Sequence, residues 1–475
     1  MDPQAELETR MTRPQRHRLL NGYPIAGLML KTPRPMRFID AFAHDHARPA
    51  IIGVLPHTFC NPTIAGCGFC TFPHEKFSSP QASAATAAVV REIEEAARLV
   101  PDLRTRPVPA VYLGGGTANL GRAEDLAALL AALGRVFDLR AAEVTLEGVP
   151  VYFTIRGHAM LDALARVPCR QRRISMGVQT FAPEWIARMG RSAFGDATLI
   201  AGLVAEAHRR GITTSCDLLF NLPGTGIDHA IADIDAAMAM GFDQICVYNL
   251  VLGPGMKTPW ATDPSLLEAM PANEVACATW FAVRDHLMRR GFIQRTLTNF
   301  ERAEIAASER SFAYERLGFD PLRVDMLGFG PGAISMVAFA DSSPVKWSNV
   351  ATTQEYLGRI DGSMPGDAPV ARHFVYGRPD RELLMVTRGF AQCSVDGARF
   401  RAAFGVGIAE AAVDLLEVVM AAGLVLPPTD AERYDLSPRG MFYADAVVGF
   451  LAHRRIAAMA DAAADALGHH GHMGG

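Results

Sequence analysis

Between about residue 50 and residue 340, short apolar runs alternate with longer amphipathic stretches. The runs Ala50–Leu55, Ala110–Leu113, Glu143–Glu147, Arg173–Val178, Thr213–Leu219 and Gln244–Tyr248 have the length and composition of strands. Segments 83–99, 123–137, 197–210 and 229–240 lie between them with helical periodicity. Strand and helix in strict alternation predict an α/β fold whose parallel sheet is closed or partly closed into a barrel. In such folds ligands gather at the carboxyl ends of the strands, where the connecting loops converge. From about residue 346 the pattern changes. Amphipathic stretches 382–388, 409–422 and 442–453, with a short strand expected at Leu424–Leu426, predict a mainly helical accessory domain containing a small winged element. The expected organisation is an extension over 1–45, a barrel over 46–345, the accessory domain over 346–467 and a flexible histidine-rich tail over 468–475.

The first strand leads into Cys60-Asn-Pro-Thr-Ile-Ala-Gly-Cys67-Gly-Phe-Cys70. No fourth cysteine follows at a paired spacing. A structural zinc site closes its tetrahedron with four protein ligands, and an electron-transfer cubane takes four thiolates. Three cysteines therefore point to an iron–sulfur cluster with one iron open to a ligand. Free cysteines also pack as small hydrophobes, but Gly66 and Gly68 suit a loop that folds several thiolates toward one point. Cys169, Cys216, Cys246, Cys277 and Cys393 are scattered and read as packing residues.

Other polar groups recur at strand ends. Gly114-Gly115-Gly116-Thr117 follows the second strand, Glu147 the third, Gln179 and then Arg191 the fourth, and Asp217 with Asn221 the fifth. Each alone reads as a cap, turn former or solvated side chain. Together, beside an open iron, they suit a zwitterionic amino acid joined to a nucleoside. Arg191 would pair with its carboxylate, and an acidic side chain would accept from a ribose hydroxyl.

Composition narrows the partners. The formal net charge of −4 offers no basic field for nucleic acid. No window approaches the roughly 18 apolar residues of a membrane helix. The first residues are polar and lack the apolar core of a secretory signal. Eight cysteines in 475 residues make no disulfide framework. A cytoplasmic protein with a small-molecule substrate is expected.

Phe59-Cys60, Gly66-Cys67-Gly-Phe69-Cys70, Tyr112-Leu-Gly-Gly-Gly-Thr117, Glu147, Arg173–Phe181, Gly190-Arg191 and Asp217–Gly224 resemble the oxygen-independent coproporphyrinogen III oxidase-like branch of the radical S-adenosylmethionine (SAM) enzymes. The resemblance continues through Gly328–Ala333, Trp347-Ser-Asn349 and Tyr356 into the accessory domain. It implies a partial (β/α)6 barrel in which Cys60, Cys67 and Cys70 hold a [4Fe-4S] cluster. It also implies one or two SAM molecules, cleavage of SAM to a 5′-deoxyadenosyl radical, and an electron donor such as flavodoxin or ferredoxin. Gly115 and Gly116 would lie along the methionine moiety, with Gly114 and Thr117 also binding the cofactor. Glu147 and Arg191 would hold its charged groups and Asp217 the ribose, with Phe69 and Gln179 bordering the pocket.

Three departures bear on the reaction. The cysteine spacing is Cx6CxxC where the branch usually has Cx3CxxC. Val54-Leu-Pro-His-Thr-Phe replaces a Tyr-x-His-Ile-Pro-Phe segment. Phe72 stands where the decarboxylating oxidases carry a further cysteine. These disfavour coproporphyrinogen oxidation itself. One-carbon transfer from SAM to an unactivated carbon, by methylation or cyclopropanation, is the first expectation, with a haem chaperone or radical haem ring opening as the alternative.

Overall fold

A computed structural model describes residues 2–17, 23–24, 26–32, 36–42, 45–60, 67–72, 74–253, 256–340, 344–362, 364, 366–429 and 432–470. Six consecutive strands are β1 (Ala50–Val54), β2 (Ala110–Leu113), β3 (Glu143–Gly148), β4 (Gln171–Gln179), β5 (Ile212–Phe220) and β6 (Gln244–Asn249). All five neighbouring pairs are parallel. Then follow β7 (Phe292–Gln294), β8 (Asn299–Arg302), β9 (Asp325–Phe329), β10 (Ile334–Val337) and β11 (Val345–Asn349). The spatial order is β11-β10-β9-β1-β2-β3-β4-β5-β6-β8-β7. This is the parallel sheet that the alternation predicts, in the partial (β/α)6 form that the resemblance implies, and all six expected barrel strands are present.

The strands form because they are apolar on both faces. β1 buries Ala50, Ile51, Ile52 and Val54, the pattern of a parallel strand covered on both sides. Helix Ser79–Leu99 turns Ala82, Ala85, Val89, Ile93 and Ala96 inward. Helix Ala197–Arg209 starts where the Asp196 carboxylate accepts from the Leu199 amide, satisfying one donor that the first turn leaves free.

Two elements escape the periodicity. Helix Pro150–Ala165 is interrupted by Arg156, Gly157 and His158, all left-handed at φ +51°, +65° and +69°, so its two halves do not share one apolar stripe. β9 ranges only from Asp325 to Phe329, yet it returns beside β1 in parallel register, Asp325 opposite Ala50.

The chain divides into two compact units, Lys31–His373 and Met1–Leu30 with Phe374–Gly475. The divisions fall away from 45/46 and 345/346. β11 pairs with β10 and so extends the large sheet past residue 345, while helix Pro3–Thr12 packs on helix Ala444–His470. In this second unit the Leu424–Leu426 strand does not form. Val425 makes one isolated bridge to Leu436, and the small sheet is Ser394–Asp396 against Arg433–Asp435. The tail beyond His470 lies outside the described residues. Among the described residues no helix is long and apolar enough to cross a membrane.

Beneath β1 and β9, Asp325 is 1% exposed and receives both the fully buried Arg106 and Arg48 (3.3 Å). Asp325→Ala would leave a buried guanidinium uncompensated, and a loss of about 3–5 kcal/mol is expected. A denaturant midpoint equal to that of the parent chain would contradict this account.

Candidate functional site

The loops leaving β1 to β5 share one end of the sheet, because parallel strands point all their carboxyl ends the same way. Cys60 closes a two-residue strand, Phe59–Cys60, paired in parallel with Glu75–Lys76. Its Sγ lies 3.2 Å from Thr117 Oγ1. The Gly114 amide donates to Val54 O at 3.0 Å and the Thr117 amide to Phe59 O at 3.1 Å, tying the glycine loop to the cysteine loop. A Cβ on Gly116 would stand 2.8 Å from Phe59 O, so only glycine permits this approach. Cys67 is buried, and Arg191 Nη1 donates to its Sγ at 3.2 Å. The other Arg191 nitrogen donates to Gly177 O, and Phe194 lies under the guanidinium at 4.8 Å. The arginine expected on a ligand carboxylate is thus held on a cysteine sulfur and a strand carbonyl.

Gln179 adopts φ +76° at a bulge, with Gly177 opposite Asp217 but Gln179 opposite Leu218. Asn221, also left-handed, donates to Asn249 Oδ1 at 2.8 Å, so Asn249 serves the sheet end. Non-glycine residues in this region store strain that accumulates at functional sites. Phe69 packs against Trp260, their centroids 5.6 Å apart.

Inside the barrel, Glu147 accepts from the Tyr112 hydroxyl at 3.2 Å. Burial, then the charge of Asp217, pushes its carboxyl up to about 7. Burial also raises Asp217 to about 6, with Arg173 opposing, and Ser175 stands 3.5 Å from it. Arg173 is 1% exposed, donates to Gln244 Oε1 at 2.8 Å and lies 3.7 Å over Phe312. Glu315, raised by burial to about 7, accepts from Thr296. Tyr112 and Arg173 stand in the motifs quoted above without a role of their own, and Glu315 stands in none. The first two occupy strand positions that alternation could have assigned to the interior; Glu315 lies on a six-residue helix without periodicity. Cys246, expected in apolar packing, receives Asn299 Nδ2 at 3.3 Å. His57 is buried, which pulls its imidazole down to about 4 and keeps it neutral near pH 7. His74 contacts Phe72 O at 3.0 Å, an ordinary loop contact.

Among the described residues no three Cys, His, Asp or Glu side chains are gathered tightly enough for a single metal ion. Residues 61–66, which include Gly66, lie outside the described residues. A cubane binds each cysteine to a different iron, so its thiolates stand apart. The donor set fits such a group in kind: the loop after β1 carries three cysteines, of which Cys67 receives a guanidinium donor and Cys60 stands beside a hydroxyl.

The chain matches the Radical SAM superfamily over residues 54–237. It is 31% identical over 246 residues to an anaerobilin synthase of Escherichia coli O157:H7, covering 49% of this chain and 54% of that protein. The chain thus spans about half the length of that relative. With the haem chaperone HemW of Mycobacterium tuberculosis it shares 27% identity over 410 residues, 83% of this chain and 93% of that one. The solved structure of coproporphyrinogen III oxidase (HemN) from Escherichia coli, a radical SAM enzyme, superposes with a TM-score of 0.72 at 19% identity, covering 93% and 99% of the two chains. That last likeness speaks for the fold. Residues 54–237 thus carry a radical SAM domain, and the chain is similar to proteins of the coproporphyrinogen III oxidase-like branch. The cofactors of that superfamily are a [4Fe-4S] cluster and SAM.

Folded Glu147 keeps its proton to about pH 7, against an ordinary value of 4.5. The folded state then binds more protons than the unfolded chain across that window, and stability falls as pH rises through it. At 1.36 kcal/mol per unit the fall is on the order of 3 kcal/mol. In the cofactor-free protein, Glu147→Gln is expected to make the fall shallower, leaving the share that Asp217 and Glu315 contribute. An unaltered slope of Tm against pH in the variant would count against the buried carboxyl.

Proposed function

We propose that the chain is an enzyme in which Cys60, Cys67 and Cys70 hold the cluster while SAM lies along Gly114–Thr117. The observation that carries this is the junction of the first two loops: Thr117 contacts Cys60 while its amide binds Phe59 O, and Arg191 reaches Cys67 from the fourth. When bound, the cofactors supply one-electron chemistry that divides SAM into methionine and a hydrogen-abstracting adenosyl fragment. The residues position and shield it. Arg191 anchors the Cys67 sulfur, Glu147 and Asp217 present carboxyl groups that exchange protons near neutral pH, and Gln179 and Phe69 border the pocket.

For the substrate, we infer a tetrapyrrole. The support is that the relatives include an anaerobilin synthase and haem chaperones. This favours the second of the two expectations, haem chemistry, over one-carbon transfer. The long match to HemW favours a carrier as the competing reading. The electron would come from a flavodoxin- or ferredoxin-type donor in the cytoplasm, a compartment that keeps such thiols reduced.

Anaerobic protein given SAM, dithionite and haem is expected to form 5′-deoxyadenosine and a modified tetrapyrrole, both lost in Cys60→Ser, Cys67→Ser and Cys70→Ser. Tight haem binding with no turnover would establish the carrier. Methyl label from SAM appearing in the product would restore one-carbon transfer.

A further inference from the structure

The two residues between Cys67 and Cys70 are held from an unexpected direction. The segment after β6 crosses back to them, and the Trp260 amide donates to Gly68 O at 3.0 Å. Gly68 has φ +79°, and a Cβ there would collide with the pyrrole edge of the Trp260 indole. The indole therefore packs directly against the glycine, with no space left for a side chain at 68. Phe69 meets the same indole at 5.6 Å and Trp185 at 5.7 Å. Behind them Leu222, Leu250 and Leu266 complete an apolar cluster in which Trp260 is 6% exposed.

We propose that Trp260 is a positioning residue for the cluster, keyed onto Gly68 so that the Cys67–Cys70 span has one conformation and an apolar wall on one side. This rests on the reading of Cys60, Cys67 and Cys70 as cluster ligands. An iron–sulfur potential responds to solvent exposure and to hydrogen bonds at sulfur. The reduced cluster carries one more negative charge, which water stabilises more than hydrocarbon does. Opening the wall therefore raises the potential, and it admits oxygen.

The test compares anaerobically reconstituted parent protein with Trp260→Leu, Trp260→Phe and Leu266→Ala, reading midpoint potential and the decay of cluster absorbance in air. Trp260→Leu keeps apolar bulk but loses the flat face. It is expected to shift the potential upward and bleach several-fold faster, while Trp260→Phe restores most of both. Leu266→Ala removes packing from the same cluster away from Gly68 and is expected to leave both near the parent values. Parent-like behaviour of Trp260→Leu overturns the proposal, as does an equal change in Leu266→Ala. Parent protein without iron and sulfide would instead overturn the assignment of the three cysteines.

Discussion

Everything at the candidate site depends on the parallel register of six consecutive strands. Parallel pairing forces each connection to cross over and return, so every strand delivers its loop to the same edge. Cysteines from the first loop, glycines from the second and an arginine from beyond the fourth can meet only under that constraint. The backbone bonds from Gly114 to Val54 and from Thr117 to Phe59 then lock adjacent loops at hydrogen-bond distance. An antiparallel meander of the same strands would scatter these groups over two ends.

Much of this was legible in the chain. Strands buried on both faces announce themselves as apolar runs, and the helices that cover them carry ordinary stripes, as in Ser79–Leu99. Legibility failed where the backbone leaves regular geometry. The left-handed turn at Arg156–His158 splits a helix whose halves present different faces. Leu424–Leu426 has strand composition, yet its pairing stops at one bridge, Val425 to Leu436, flanked by the Leu426 amide on Asp435 O and the Ser437 amide on Leu424 O. At the site, the residue types at strand ends were readable because each is chemically conspicuous. Their contacts were not, since Arg191 lies 124 residues from the sulfur it reaches.

The barrel interior holds an excess of acid. Glu147, Asp217 and Glu315 share their surroundings with Arg173, and burial raises all three. Like charges in low dielectric hold protons rather than ionise together. Near neutral pH such an interior changes its charge in response to what enters it. A ligand that brings positive charge would draw protons off these carboxyls.

The bulge at Val178 has a lasting effect on how this chain tolerates change. Because side chains alternate faces along a strand, one surplus residue in β4 decides whether Gln179 faces the interior or the surrounding helices. Substitution at 178 leaves the bulge in place, whereas losing the residue would close it and remove the left-handed turn that Gln179 now makes at the strand end. The geometry here depends on the number of residues in the strand more than on which residue occupies position 178.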